Sequence, residues 1–443
     1  MNKTMLLVGF TKRTSFAVAK AIGRDNKILI SDSIKNEEKE SLISELKSYG
    51  VEPINLLGNQ SKEILDEYSI DLIVVSPGVP LDIPLLKYAK EKNIEVIGDI
   101  ELFYRFFPRN VYIGITGTDG KTTTTTLVYE LLKSERKTHL GGNIGVPVFE
   151  LFNEIKRDEI IVLELSSFQL EAIDNFNPHI GLFLNLAEDH LDRYSSMEEY
   201  LNAKKRIFKN QTNKDYAIVN LDSPYYERII SGVKSNILTF STKNENATIY
   251  FKDNIIFYDK KPFIERDEIF IKGIHNVENS MAAILAAKLM GISDETIRNV
   301  LKNFKGVEHR LEFVRNIDGV DYYNDSKSTT VNSLEKALLS FDKPVILIAG
   351  GRDKGLDFTK VKSLVHKKLK VLILIGEAKE KINRELDFKN TLYADSLEEA
   401  VYKAKEKSET GNIVLLSPGC ASFDMFKNYE ERGKVYKEIV KKM

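Results

Sequence analysis

The 443-residue sequence carries 64 Lys plus Arg against 65 Asp plus Glu, a formal charge of −1, with 42% hydrophobic and 29% charged residues. This near-neutral balance excludes a global field favouring nucleic acid or an acidic membrane as partner, and the apolar fraction is that of a folded, soluble chain. At about 150 residues per domain the length predicts roughly three domains.

No stretch approaches eighteen apolar residues, so membrane insertion is not expected. The opening MNKTMLLVGFTKRTSF lacks the apolar region and cleavage signal of a secretory leader. The single cysteine, Cys420, permits no intrachain disulfide and fits a reducing compartment. A cytoplasmic location follows as the expectation.

In chain order, MLLVGF (5–10), KILIS (27–31) and DLIVVSPG (71–78) alternate with helix-like stretches of mixed charge, the pattern of buried parallel strands joined by crossover helices. A dinucleotide site would need G-x-G-x-x-G after the first strand. The residues are Gly9, Phe10, Thr11, Lys12, Arg13 and Thr14, so the fingerprint fails, although a helix start there could still accept a phosphate. The rhythm resumes with VYIGITG (111–117), EIIVLELSS (159–167), HIGLFLNL (179–186) and YAIVNLD (216–222).

Between Ile237 and Ile271 the texture shifts to ILTFS, ATIYF, NIIFYD and EIFIKG, which predicts a small antiparallel patch. An apolar helix follows from Asn279 to Met290, with Gly291 as its C-terminal stop. VDYYNDS, PVILIAGG (344–351), KVLILIG (370–376) and NIVLLSPG (412–419) form the last block. The expected architecture is α/β in three domains, 1–107, 108–306 and 307–443: Rossmann-like first and last domains flank a central P-loop ATPase-type mixed sheet that carries the antiparallel patch.

TGTDGKTT, Thr116 to Thr123, stands between the strand VYIGI and a helix marked by Leu127, Leu131 and Leu132. There the backbone of Gly117, Thr118, Asp119 and Gly120 can wrap a polyphosphate at a helix N-terminus. Lys121 would reach the terminal phosphates, and the Thr122 hydroxyl, followed by Thr123, would ligate Mg2+. Position 115 is Ile, so the loop departs from G-x-x-x-x-G-K-[ST]; a plain turn would leave a lysine at the positive end of a helix without a reason. Glu164 ends a strand, where a buried carboxylate needs a partner or a metal. His190 follows HIGLFLNL, at the strand end where open α/β sheets place ligands. Read alone, these two also fit a solvated strand-end acid and a structural histidine.

The loop, followed in order by LELSSFQLE (163–171), NLAEDHLDRY (185–194), AKKRIF (203–208), HNVEN (275–279), EHRLE (308–312), NDSKST (324–329) and SPGCASFDMFKNYEERG (417–433), resembles the Mur ligase family. SSFQLE, EDHLDRY and CASFDMFKNYEERG are most similar to its D-glutamate-adding members. The resemblance implies a monomeric ATP-dependent ligase of peptidoglycan precursor synthesis, using ATP and Mg2+ at two sites to join D-glutamate to UDP-N-acetylmuramoyl-L-alanine through an acyl phosphate. It implies that Thr122, Glu164, His190 and Lys204 surround metal, Lys204 as a carbamate formed with CO2. It implies that Asn276, Asn279, Arg310, Asp325 and Lys327 face ATP, that Asp32, Ser76, Gly78 and Asn143 contact the UDP-sugar, and that Thr329, Lys354, Ser422 and Tyr429 form the D-glutamate pocket.

Three alternatives stay open at this point. A sibling ligase would add another amino acid, but the DNPR block of the diaminopimelate- or lysine-adding sibling is missing. A P-loop switch or motor and a nucleotide-sugar oxidoreductase are the readings from other classes.

Overall fold

The computed structural model describes residues 2–189, 193–353 and 355–443. Contact density divides them into two compact units, one running up to Glu265 and including Glu278–Val300, the other made of Arg266–Val277 and Leu301–Met443.

The first unit holds two sheets. Strands β1 (Thr4–Val8), β2 (Lys27–Asp32), β3 (Ile54–Leu57), β4 (Leu72–Val75) and β5 (Val96–Gly98) are all parallel, in the order β3-β2-β1-β4-β5. The chain order reverses between β1 and β4, which opens a crevice beyond their carboxyl ends, the place where such sheets bind ligands. Leu6 and Val8 pack on one face while Met5 and Leu7 join the opposite core, the period-two signature of a strand covered on both sides.

The second sheet has nine strands: β6 (Val111–Thr116), β7 (Thr138–Gly142), β8 (Ile160–Glu164), β9 (Ile180–Phe183), β10 (Tyr216–Asn220), β11 (Asn236–Ser241), β12 (Ile249–Lys252), β13 (Ile255–Tyr258) and β14 (Lys261–Glu265), ordered β14-β13-β12-β11-β10-β9-β6-β8-β7. One core joins the two sheets, from Met5 and Phe103 to Tyr112 and Val219. Glu101 ties them further. Its fully buried carboxylate accepts the backbone N–H groups of Asp174, Asn175 and Phe176 at 2.8–2.9 Å and pairs with Arg105.

The antiparallel patch needs correction at both ends. ILTFS pairs parallel with β10 and continues the main sheet, so only β12, β13 and β14 run antiparallel. EIFIKG forms no strand; Arg266–Glu268 is a single 3-10 turn. Two acidic residues after Arg266 place charge where an alternating strand needs an apolar side chain, and Gly273 has φ +93, outside the β region. The helix expected from Asn279 begins earlier, at Ile274, and ends at Leu289. Gly291, at φ +76, follows it, and Ile292 N–H bonds back to Ala287 O.

The second unit is built on β15 (Glu312–Ile317), β16 (Val320–Asn324), β17 (Val345–Gly350), β18 (Leu369–Ile375), β19 (Thr391–Tyr393) and β20 (Ile413–Leu416), in the order β15-β16-β20-β17-β18-β19. Only β15, a hairpin partner of β16, is antiparallel. Val345, Leu347 and Ala349 enter one core and Ile346 and Ile348 the other. The sheet is therefore covered on both faces, and its loops at the carboxyl ends of β16, β20 and β17 lie side by side.

Candidate active site

The phosphate loop leaves β6 at Thr116 and enters the helix Lys121–Lys133 through Gly120, whose φ of +78 an L side chain rarely adopts. A Cβ there would also lie 2.3 Å from Asn279 Oδ1. Both constraints require glycine. The same Asn279 oxygen accepts from Thr124 Oγ1 at 3.1 Å, so the asparagine abuts the loop and its helix.

Asn185, just past β9, shapes the other side of the loop. Its Oδ1 accepts from the N–H groups of Thr118 (3.2 Å) and Asp119 (2.8 Å), and its Nδ2 donates to Asp119 O. Sequence reasoning missed this residue; the available signal was an amide directly after the apolar run IGLFL. Lys121 folds back, with Nζ donating to Gly117 O at 2.9 Å and Thr118 O at 2.6 Å.

Glu164 is 2% exposed at the end of β8. Thr122 Oγ1 donates to its Oε2 at 2.9 Å and Asn143 Nδ2 to its Oε1 at 2.8 Å. The strand-end acid is therefore buried and paired. Immediately after it, Ser166 and Gln169 form a capping box that starts the helix Ser167–Glu171.

Lys204 comes from the helix Met197–Lys205 and is 1% exposed. Its Nζ donates to Gly117 O at 2.7 Å and lies 4.5 Å from the centre of the Tyr200 ring. Burial, reinforced by the charge of Lys121, pulls its pKa down to about 6.

On the first sheet, Asp32 accepts from Phe10 N (2.6 Å) and Ile34 N (2.8 Å) and pairs with Lys39 at 2.6 Å. Ser76 Oγ donates to Gly9 O at 2.6 Å and approaches Ser15 Oγ at 2.8 Å. Both residues thus fix the turn after β1, and Gly78 has open space where a side chain would stand. Arg13, from the same turn, donates to Asn143 O at 3.2 Å. A continuous chain of contacts therefore joins the first-sheet crevice to Glu164 and Thr122.

In the second unit Asp325 is 5% exposed; Ser417 Oγ donates to its Oδ2 at 2.7 Å and Leu311 N to its Oδ1 at 3.2 Å, while burial pushes its pKa up to about 7. Lys327 Nζ lies 5.8 Å from the Tyr429 ring centre, Ser422 is buried and Thr329 half-buried. Arg310 closes a short bridge with Val307. Asn276 falls in this unit and donates to Lys272 O. His190 and Lys354 lie outside the described residues.

Glu164 and Thr122 are hard oxygen donors beside a phosphate loop, the small protein share that Mg2+ takes when most of its ligands are phosphate and water. Among the described residues no three His, Cys, Asp or Glu side chains converge as a self-contained metal cage. The donor set fits a cation that arrives with a nucleotide.

A glycine turn opening a helix, a buried acid beside it and a second α/β unit together give an α/β architecture of the kind found in nucleotide-using enzymes. Residues 115–287 match the Mur ligase middle domain and residues 309–420 the Mur ligase, glutamate ligase domain. The chain belongs to the Mur ligase family. It is 48% identical over 393 residues to UDP-N-acetylmuramoylalanine--D-glutamate ligase of Caldicellulosiruptor bescii, covering 86% of each chain. It is 42% identical to the protein of that name from Clostridioides difficile, covering 99% of this chain and 98% of the relative.

Among solved structures, UDP-N-acetylmuramate-alanine ligase of Thermotoga maritima matches over 99% of both chains at 18% identity, with a TM-score of 0.59. MurF of Acinetobacter baumannii matches over 98% of this chain and 93% of its own at 16% identity, with a TM-score of 0.64. These two speak for the fold.

Proposed function

We propose that this chain is an ATP-dependent ligase that joins D-glutamate to UDP-N-acetylmuramoyl-L-alanine, with release of ADP and phosphate, in peptidoglycan precursor synthesis. The observation that carries the chemistry is the convergence of Thr122, Glu164, Asn143 and Lys204 on one phosphate loop. Near-full-length identity to relatives of a single name supports the choice of substrates.

In this reading a substrate carboxylate oxygen attacks the γ-phosphorus of ATP, the bond to the bridging oxygen breaks, and ADP leaves. The D-glutamate amine then attacks the acyl carbon, phosphate departs with the former carboxylate oxygen, and the amine loses a proton as the amide forms. Lys121 swings from its backbone carbonyls to the phosphates, and the helix N-terminus at Gly120 stabilises the charge gathering there. Thr122 and Glu164 would hold Mg2+, which when bound would supply positive charge against the crowded phosphate and carboxylate oxygens.

Lys204, neutral by burial, is suited to take up CO2 and become an anionic metal ligand, with His190 as a further ligand. Asp32, Ser76, Gly78 and Asn143 bind the UDP-sugar. Asn276, Asn279, Arg310, Asp325 and Lys327 serve ATP, and Thr329, Lys354, Ser422 and Tyr429 serve D-glutamate. Residues 1–107, 108–306 and 307–443 act as UDP-sugar, ATP and amino-acid domains of a cytoplasmic monomer. No helix of the described residues is long and apolar enough to cross a membrane.

Labelling the substrate carboxylate with heavy oxygen tests the acyl phosphate. One label should appear in the released phosphate for each amide formed. Label lost to water or carried by the nucleotide, with none in the phosphate, would refute this route.

A further inference from the structure

Arg432 is 1% exposed, a cation in the helix Tyr429–Lys442. Its Nε donates to Ser326 Oγ at 3.0 Å, and its Nη2 donates to Ser326 O at 2.9 Å and Cys420 O at 3.1 Å. On a third side the backbone of Gly351 comes so close that a Cβ there would stand 3.2 Å from Nη1. One planar guanidinium therefore bonds the segments that follow β16 and β20 and lies beside the one that follows β17, three neighbouring strands of the sheet.

Those segments are also stitched to one another. Gly419 N donates to Ser328 O, Gly350 N to Pro418 O and Arg352 N to Ala421 O, each at 2.9 Å. They carry Thr329 and Ser422, assigned above to D-glutamate, Lys327, assigned to ATP, and Arg352 and Asp353. The guanidinium donates to carbonyls and a hydroxyl, and burial lowers its pKa only to about 10, so it remains charged at neutral pH.

Burying a charge costs several kcal/mol, and an apolar side chain of similar volume would fill the same space more cheaply. What an apolar residue lacks is a fixed fork of donors that ties two of these loops together while it borders the third. We propose that Arg432 is a positioning residue for D-glutamate, holding the three loops of its pocket in binding register. This rests on the pocket assignment made above, and Arg432 itself touches no substrate.

The test compares Arg432→Lys and Ser326→Ala with wild type in the full-length chain, varying ATP, UDP-N-acetylmuramoyl-L-alanine and D-glutamate in turn. Lysine keeps the charge but loses the fork. Alanine at 326 removes one partner and leaves both carbonyl contacts, so its folding is not at risk from an unpaired buried cation. The KM for D-glutamate should rise about tenfold or more in Arg432→Lys and severalfold in Ser326→Ala, with the KM for the UDP-sugar within about twofold of wild type.

A merely structural arginine gives a different pattern, with lower thermal stability and a smaller active fraction at unchanged KM values; that result overturns the proposal. So does a wild-type D-glutamate KM in Ser326→Ala should Arg432→Lys fail to fold. A wild-type enzyme with no D-glutamate-dependent turnover would instead bring down the functional reading itself, and this inference with it.

Discussion

Lys204 sits where an ammonium is costly, and its proton equilibrium shows it: burial holds the pKa near 6 against an ordinary 10.5. The unfolded chain binds this proton more tightly than the folded one, so folding stability rises with pH between those two values. Relative to Lys204→Met, the wild-type protein should gain stability across that window in urea unfolding. In activity, the proposed carbamate role predicts that Lys204→Ala loses nearly all turnover and that a short carboxylic acid restores part of it. Near-wild-type turnover without additive would remove Lys204 from the metal site.

Asp99 shows the opposite sign. One carboxyl oxygen is buried with no hydrogen-bond partner among the described residues, and burial raises the pKa to about 6 from 3.8. The folded state holds the proton more tightly, so stability falls as pH climbs through that interval and the loss persists above it. Asp99→Asn should therefore unfold at a higher temperature than wild type at neutral pH, by an amount that shrinks as the pH is lowered to about 4. A gain that does not change with pH would show that the carboxylate's charge is not the cause.

At the scale of elements, the turn between β6 and its helix depends on backbone geometry that only glycine supplies. Gly120→Ala meets both a left-handed φ and the Asn279 oxygen. It should weaken ATP binding about a hundredfold or more, measured by nucleotide titration, while the far-UV spectrum stays that of wild type. Unchanged affinity would mean the loop does not cradle phosphate.

Elements also mark where the sequence was legible. Buried parallel strands such as β6, β8 and β17 read as continuous apolar runs because both faces are covered. Short edge strands did not: Ile54–Leu57, Thr138–Gly142 and Thr391–Tyr393 are three to five residues long and half-buried or glycine-containing, and local pattern carries little information there. Similarly, Thr122 and Glu164 announced themselves by motif and strand position. Asn185 and Arg432 act through side chains brought together across 66 and 106 residues, a proximity that no local spacing encodes.

Over the whole molecule, the first unit joins the crevice of its first sheet, proposed to take the UDP-sugar, to the glycine turn after β6 through Arg13, Asn143 and Glu164. The second gathers the loops of β16, β20 and β17 around Arg432. A ligase needs both chemistries, one to activate a carboxylate and one to present an amine. The most direct test supplies ATP, Mg2+ and UDP-N-acetylmuramoyl-L-alanine with a panel of D- and L-amino acids, following phosphate release and identifying the product by mass. The account predicts release and an amide product with D-glutamate and neither with L-glutamate; no phosphate release with D-glutamate, or the same product yield from another amino acid, would contradict it.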